Sequence, residues 1–353
     1  MVKFRSVLKT LAVISGALLF SAANAQEIKG AGSTAAAPLY NRWQKDYAHK
    51  TGLTLSYDAI GSSAGIQKIK ESQVTFGASD VPLPAKELES FNLIQFPTVV
   101  SGIVPFVNLP GIKPGTLRLT ADVLVGIYTG TIVRWDDPAL AIENPTLNLP
   151  RQDIVVLARK DGSGTTYNLS AYLSHVNPEW ESRFGTSFAI DWAPHVKTIK
   201  GSSGLVSAVK RTPYSIGYAE YTYVQENSLN YVLLKNRDGA YVKPEATSFS
   251  AALRNSDWGS SGQFEHLLID LPGPASWPVT SGTFILVPRV SHTPEQTSAT
   301  LTFFAWAMIK GDAAAAELGC VRLPDRVQAR VYRELTSVRD IHGSRLPVSV
   351  DFH

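Results

Sequence analysis

Four times along this chain a cluster of glycine and hydroxyl residues opens a stretch with helical periodicity. Gly30-Ala31-Gly32-Ser33-Thr34 precedes Leu39, Trp43 and Tyr47, spaced i, i+4, i+8, with Pro38 where a first helical turn tolerates it. Gly61-Ser62-Ser63-Ala64-Gly65 follows an apolar run at 54–57 and leads into Ile66 and Ile69. Asp161-Gly162-Ser163-Gly164-Thr165 follows the run at 154–158 and leads into Leu169, Tyr172, Leu173 and Val176. Gly201-Ser202-Ser203-Gly204 leads into Leu205, Val206 and Val209. A short apolar strand, a glycine turn and an amphipathic helix, repeated, is the unit from which α/β folds are built. Further strands are expected at 74–78, 99–107, 231–234 and 283–287, and helices at 294–310, at 312–318 and around Val327, Val331 and Leu335. These apolar stripes are core faces and carry no chemistry. No repeat or low-complexity tract interrupts the pattern.

The 353 residues are enough for two domains with sizeable cores. Lys plus Arg number 33 against 30 Asp plus Glu, and the excess cations Lys3, Arg5 and Lys9 all precede Ala25, in a stretch without acids. An apolar run of about ten residues follows them, too short to span a bilayer, and then the small-x-small site Ala23-Asn24-Ala25. This reads as an export signal cleaved after Ala25, and no cysteine near the cut offers a lipid anchor. The remaining body is neutral, which disfavours nucleic-acid and membrane-surface partners, and no later segment suits membrane insertion. The single cysteine, Cys320, excludes an intrachain disulfide framework and a multi-thiolate metal centre.

A helix N-terminus leaves backbone N–H donors unpaired and carries roughly half a positive charge. Glycine lets an anion approach that backbone, and Ser or Thr hydroxyls add neutral donors. One such start is only a capped helix; several in one exported chain point to an oxyanion site. A Walker A loop is absent, because no Gly-Lys-Ser/Thr ending occurs. Two charged positions sharpen the reading. The strand at 74–78 runs into Ser79-Asp80, and Arg159 ends the strand at 154–158. Ligands of open α/β sheets bind beyond the carboxyl ends of the strands, and the planar fork of an arginine suits a tetrahedral oxyanion. Asp161 can hold that fork in place; a plain surface ion pair is the alternative.

Gly61-Ser62-Ser63-Ala64-Gly65 also satisfies G-x-S-x-G, which would make Ser63 a nucleophile. Too little chain precedes it for the earlier strands and oxyanion loop of that fold, and the seven histidines are scattered without a recognisable turn context. No histidines stand at i, i+4, so no metal site and no cofactor is expected.

Read in order, Gly30-Ala31-Gly32-Ser33-Thr34, Gly61-Ser62-Ser63, Phe76-Gly77-Ala78-Ser79-Asp80, Gln95-Phe96-Pro97, Trp135-Asp136-Asp137-Pro138, Asp161-Gly162-Ser163-Gly164-Thr165 and Ile216-Gly217-Tyr218 closely resemble the periplasmic phosphate-binding proteins of ABC-type phosphate importers. The likeness spans essentially the whole chain after Ala25. It implies an α/β, two-lobe periplasmic-binding-protein fold (type II) with the ligand in the interlobe cleft. The implied division is 26–108 plus 281–353 for lobe 1 and 109–280 for lobe 2, with crossings near Asn108 and Ser281. The implied phosphate ligands are Thr34, Ala35, Ser62, Asp80, Arg159, Ser163, Gly164 and Thr165, with Asp161 orienting the arginine. One departure is visible: the position after Thr34 is commonly phenylalanine in this family and is Ala35 here, a contact made through the backbone N–H.

The expected function is non-catalytic capture of inorganic phosphate, with arsenate as a second ligand, in the periplasm by a monomer that delivers it to membrane permease subunits. Two other classes fit the same cradle: an exported phosphatase or serine hydrolase, and an exported adhesion or virulence protein on this scaffold.

Overall fold

The computed structural model describes residues 28–350, so the expected export signal lies outside the described residues. The strands that matter are β1 (Ile28–Gly32), β2 (Leu55–Ala59), β3 (Phe76–Ser79), β4 (Leu93–Asn108), β5 (Val155–Arg159), β6 (Lys197–Ile199), β7 (Ser215–Glu220) and β8 (Thr280–Pro288). They lie in the order β2-β1-β3-β8-β4-β7-β5-β6 within a nine-stranded sheet, whose ninth strand, Asn230–Tyr231, pairs with β4 off that path. β1, β2 and β3 run parallel, as do β5, β6 and β7. Each parallel set therefore presents all its carboxyl ends at one edge.

β4 joins the two halves. Its residues 93–102 pair with β8, and its residues 103–108 pair with β7. The 16-residue strand is buried for almost its whole length, so the sequence shows it as an apolar run without alternation. Its change of partner between Gly102 and Ile103 falls before the crossing expected near Asn108, while β8 begins at Thr280, beside the crossing expected near Ser281.

Two apolar cores flank this junction. One gathers Tyr40, Trp43, Phe76, Phe96, Phe284 and Phe304. The other gathers Phe106, Trp135, Leu157, Trp180, Leu205 and Ile216. Leu253, Trp258, Phe264 and Leu268, which the sequence division gives to lobe 2, pack into the first core, and Trp277 and Val279 return to the second. The chain thus crosses the junction more often than two simple ranges describe.

The helices form where the periodicity puts them: α1 (Ala37–Thr51), α2 (Ser62–Lys70), α3 (Gly164–Val176), α4 (Ser202–Arg211) and, near the C-terminus, α5 (Pro294–Lys310). Pro38 lies in the first turn of α1 and Pro294 opens α5. Gly32 is required by geometry, since its φ is +143° and a Cβ there would lie 2.0 Å from the Ala78 carbonyl oxygen. That contact lets β1 turn toward the carboxyl end of β3 and delivers Ser33 and Thr34 to the cleft. Among the described residues, no helix is long and apolar enough to cross a membrane.

Candidate functional site

The carboxyl ends of both parallel sets face each other across the junction. Ser33 follows β1, Ser62 opens α2 after β2, and Asp80 follows β3. Opposite them, Arg159 ends β5, Gly201 and Ser202 follow β6, and Glu220 ends β7. All are buried.

The first side is organised around Asp80. Its carboxylate accepts from Ser33 Oγ at 2.6 and 2.7 Å, from Thr283 Oγ1 at 2.7 Å and from Ser62 Oγ at 3.2 Å. Burial pushes its pKa up against the pull of these three hydroxyls and of the Arg159 charge. Ser33 Oγ also accepts from the backbone N–H of Ala35 at 3.0 Å. Ala35 therefore presents a main-chain donor into a hydroxyl-lined corner, and its side chain takes no part in that bond.

The second side is organised around Arg159, which is 1% exposed. Nε donates to Asp161 Oδ1 at 2.9 Å, and Nη2 donates to Asp161 Oδ2. Asp161 in turn accepts from the Gly201 N–H at 2.8 Å. Burial works against the Asp161 carboxylate, but the bonds and charge of Arg159 outweigh it and hold its pKa below the ordinary value. With that edge of the fork fixed, Nη1 donates to Ser202 Oγ at 2.9 Å. Ser163 caps α3, its Oγ accepting from the Thr166 N–H at 3.2 Å, which leaves its hydroxyl hydrogen available. Thr165 Oγ1 donates to Glu220 Oε1.

The two sides touch. Thr34 Oγ1 lies 2.8 Å from Ser202 Oγ, Tyr223 Oη donates to the Thr34 carbonyl at 2.7 Å, and the Ser63 N–H donates to the Gly162 carbonyl at 3.1 Å. Asn168 Nδ2, from α3, donates to the Asp80 carbonyl at 2.7 Å. Gly164 is packed so closely that a Cβ would lie 2.5 Å from Ser62 Oγ and 2.7 Å from Asp80 Oδ2. A cavity of about 20 Å³, with room for about one water, remains beside Asp80 and Glu220. An anion can reach this cluster only if the two sides part.

The residues that the resemblance offers as ligands, with Asp161, lie at this junction: Thr34, Ala35, Ser62 and Asp80 on one side, Arg159, Asp161, Ser163, Gly164 and Thr165 on the other. Ser63 does not belong with them; its residue is exposed and it contributes a backbone contact. Four participants escaped the sequence reading: Ser33, Ser202, Thr283 and Glu220. Ser33 and Ser202 lay inside clusters already noticed. Glu220 ends a strand, as Arg159 does, but that strand shows neither alternation nor an apolar run, so the rule about strand ends has nothing in the sequence to act on. Thr283 offered no local signal. Among the described residues, no group of three or more His, Cys, Asp or Glu is placed to hold a metal ion.

Two lobes, one shared sheet and a polar cleft at opposed strand ends define a binding protein of the two-lobe periplasmic type. The fold recurs in solved structures. A putative phosphate ABC transporter substrate-binding protein from Clostridium perfringens superposes with a TM-score of 0.61 at 19% identity, over 84% of this chain and 100% of that one. A phosphate-binding protein from Stenotrophomonas maltophilia gives 0.62 at 18%, over 87% and 93%. A family model described as a PBP superfamily domain matches residues 21–307. The chain is also 41% identical over 316 residues to the phosphate-binding protein PstS of Haemophilus influenzae, covering 90% of this chain and 94% of that one. It is 41% identical over 335 residues to its namesake in Pasteurella multocida, covering 94% and 97%. The chain belongs to the phosphate-binding PstS family of the PBP superfamily.

Proposed function

We propose that this protein is the substrate-binding component of an ABC-type phosphate importer, which captures inorganic phosphate in the periplasm without chemistry and passes it to membrane permease subunits. One observation carries the reading: a buried carboxylate, Asp80, faces a cleft in which the other residues expected to hold the ligand all offer donors. The Coulomb and desolvation terms make Asp80 hostile to a fully deprotonated oxyanion. Phosphate near neutral pH keeps at least one proton and can donate it to Asp80, whereas sulfate has none to give. Arg159, Ser163, Gly164 and Thr165 supply donors from one side, and Thr34, Ala35 and Ser62 from the other. The contacts that now join the sides, Thr34 with Ser202 and Tyr223 with Thr34, break when the cleft opens for entry and re-form around the ligand.

Isothermal titration calorimetry on protein stripped of ligand tests this. Phosphate and arsenate bind, and sulfate does not. Chromogenic phosphate esters in the same preparation are not turned over. Heat from sulfate comparable to that from phosphate would mark a general oxyanion binder instead, and ester turnover would mark a hydrolase.

A further inference from the structure

Glu220 is 5% exposed, lies at the centre of the cleft, and is used by nothing in the reading above. Its partners show what it does. Thr165 Oγ1 donates to Oε1, and Ser202 Oγ donates to Oε2 at 3.4 Å. A hydroxyl owns one hydrogen, and Ser202 Oγ already accepts from Arg159 Nη1 at 2.9 Å. With the Ser202 hydrogen directed at Glu220, Thr34 Oγ1 must donate to Ser202 across its 2.8 Å contact. One carboxylate therefore orients the hydroxyls of Thr34, Ser202 and Thr165 and receives the network into which the Arg159 fork feeds. We infer that Glu220 is the resting anion of the cleft, a positioning residue that holds these donors in the absence of ligand and yields them to phosphate by taking up a proton.

This inference rests on the phosphate-binding reading. The groups facing Glu220 come from several elements. Asp80 lies beyond β3, Arg159 ends β5, Tyr223 lies on the short helix after β7, and Cys320 follows the helix at 312–317. Burial and the Asp80 charge push Glu220 up to about 7, with Thr165 and Arg159 pulling the other way. A dianion arriving beside Asp80 and an ionised Glu220 would gather four negative charges, two of them its own, around one guanidinium. Protonating Glu220 from the buffer removes one of them and leaves its carbonyl oxygen free to accept. The sign follows: above neutral pH the free protein must gain this proton in order to bind, so affinity falls as pH rises.

The test compares phosphate affinity of the parent and Glu220→Gln by calorimetry across about pH 6 to 9. The ligand's own ionisation is common to both and cancels. The ratio of parent to variant Kd should rise about tenfold per pH unit above neutrality. Infrared difference spectra of the parent give a reading that needs no variant: at pH 8, adding phosphate should bring up the stretch of a protonated carboxyl. Parallel pH profiles, or no new carboxyl band on saturation, overturn the inference while phosphate binding stands. A parent that binds no phosphate at any pH overturns the transport reading and takes this one with it.

Discussion

The two sides of the cleft solve opposite electrostatic problems. On the β1–β3 side a carboxylate, Asp80, is surrounded by hydroxyl donors from Ser33, Ser62 and Thr283. On the β5–β7 side a cation, Arg159, is clamped by Asp161, and its free edge points at Ser202. The first side is an acceptor held ready; the second is a donor held ready. An acceptor adds little affinity for an anion but reads whether the anion carries a proton. A buried guanidinium adds affinity but cannot tell phosphate from sulfate. We therefore assign discrimination to the Asp80 side and binding strength to the Arg159 side.

The largest effect separates the two roles. A site that demands a ligand proton can reject an analogue lacking it by about 10⁴–10⁵. Asp80→Asn should collapse most of that preference, because an amide can donate to sulfate as readily as it accepts from phosphate. Competition calorimetry of the two oxyanions against parent and variant measures it. A variant that still discriminates as the parent does would move selectivity elsewhere in the cleft.

Arg159→Ala should show the complementary result, a loss of strength without a change of preference. Charge-assisted bonds contribute about 1.5–3 kcal/mol each, so phosphate binding should weaken at least about a hundredfold, or about 2.7 kcal/mol. The substitution also leaves Asp161 without its partner, so circular dichroism must first show a folded protein. Unchanged affinity in that folded variant would break the assignment of strength to this side.

The same contrast shows what could be read from the sequence. The Arg159 side was legible because a charged residue and the cluster Asp161-Gly162-Ser163-Gly164-Thr165 are contiguous, and local spacing reveals them. The Asp80 side was legible only in part. Ser62 and Asp80 end recognisable strand-to-helix units, but Thr283 reaches Asp80 from a strand more than two hundred residues later. Contacts of that kind come from sheet order, and no window of sequence carries sheet order. β7 went unrecognised for a related reason: Ser215–Glu220 is buried throughout and holds a glycine and a glutamate, so it shows neither alternation nor an apolar run. The division into lobes was obscured likewise, because Leu253 to Leu268 join the first core through packing that composition does not mark.

The smallest effect concerns Ala35, which stands where the sequence resemblance leads one to expect phenylalanine. The N–H of Ala35 lies 3.0 Å from Ser33 Oγ, and the backbone path from Gly32 through the start of α1 fixes its direction. Changing the side chain leaves that donor in place. Ala35 and Ala36, with Leu39, Val99 and Cys320, line the cavity of about 20 Å³, far too small for an aromatic ring. Ala35 is only half-buried, so a ring can leave toward the cleft mouth. If it is forced inward instead, overpacking costs about 1–3 kcal/mol of stability. Ala35→Phe should therefore change phosphate affinity by less than about threefold, a shift of well under 1 kcal/mol, while any larger cost appears in thermal unfolding. Calorimetry and a melting curve on the same sample distinguish the two. A tenfold loss of affinity with an unchanged melting temperature would mean that the acceptor side is read through its side chains as well as its backbone, and its contrast with the arginine side would then be one of degree.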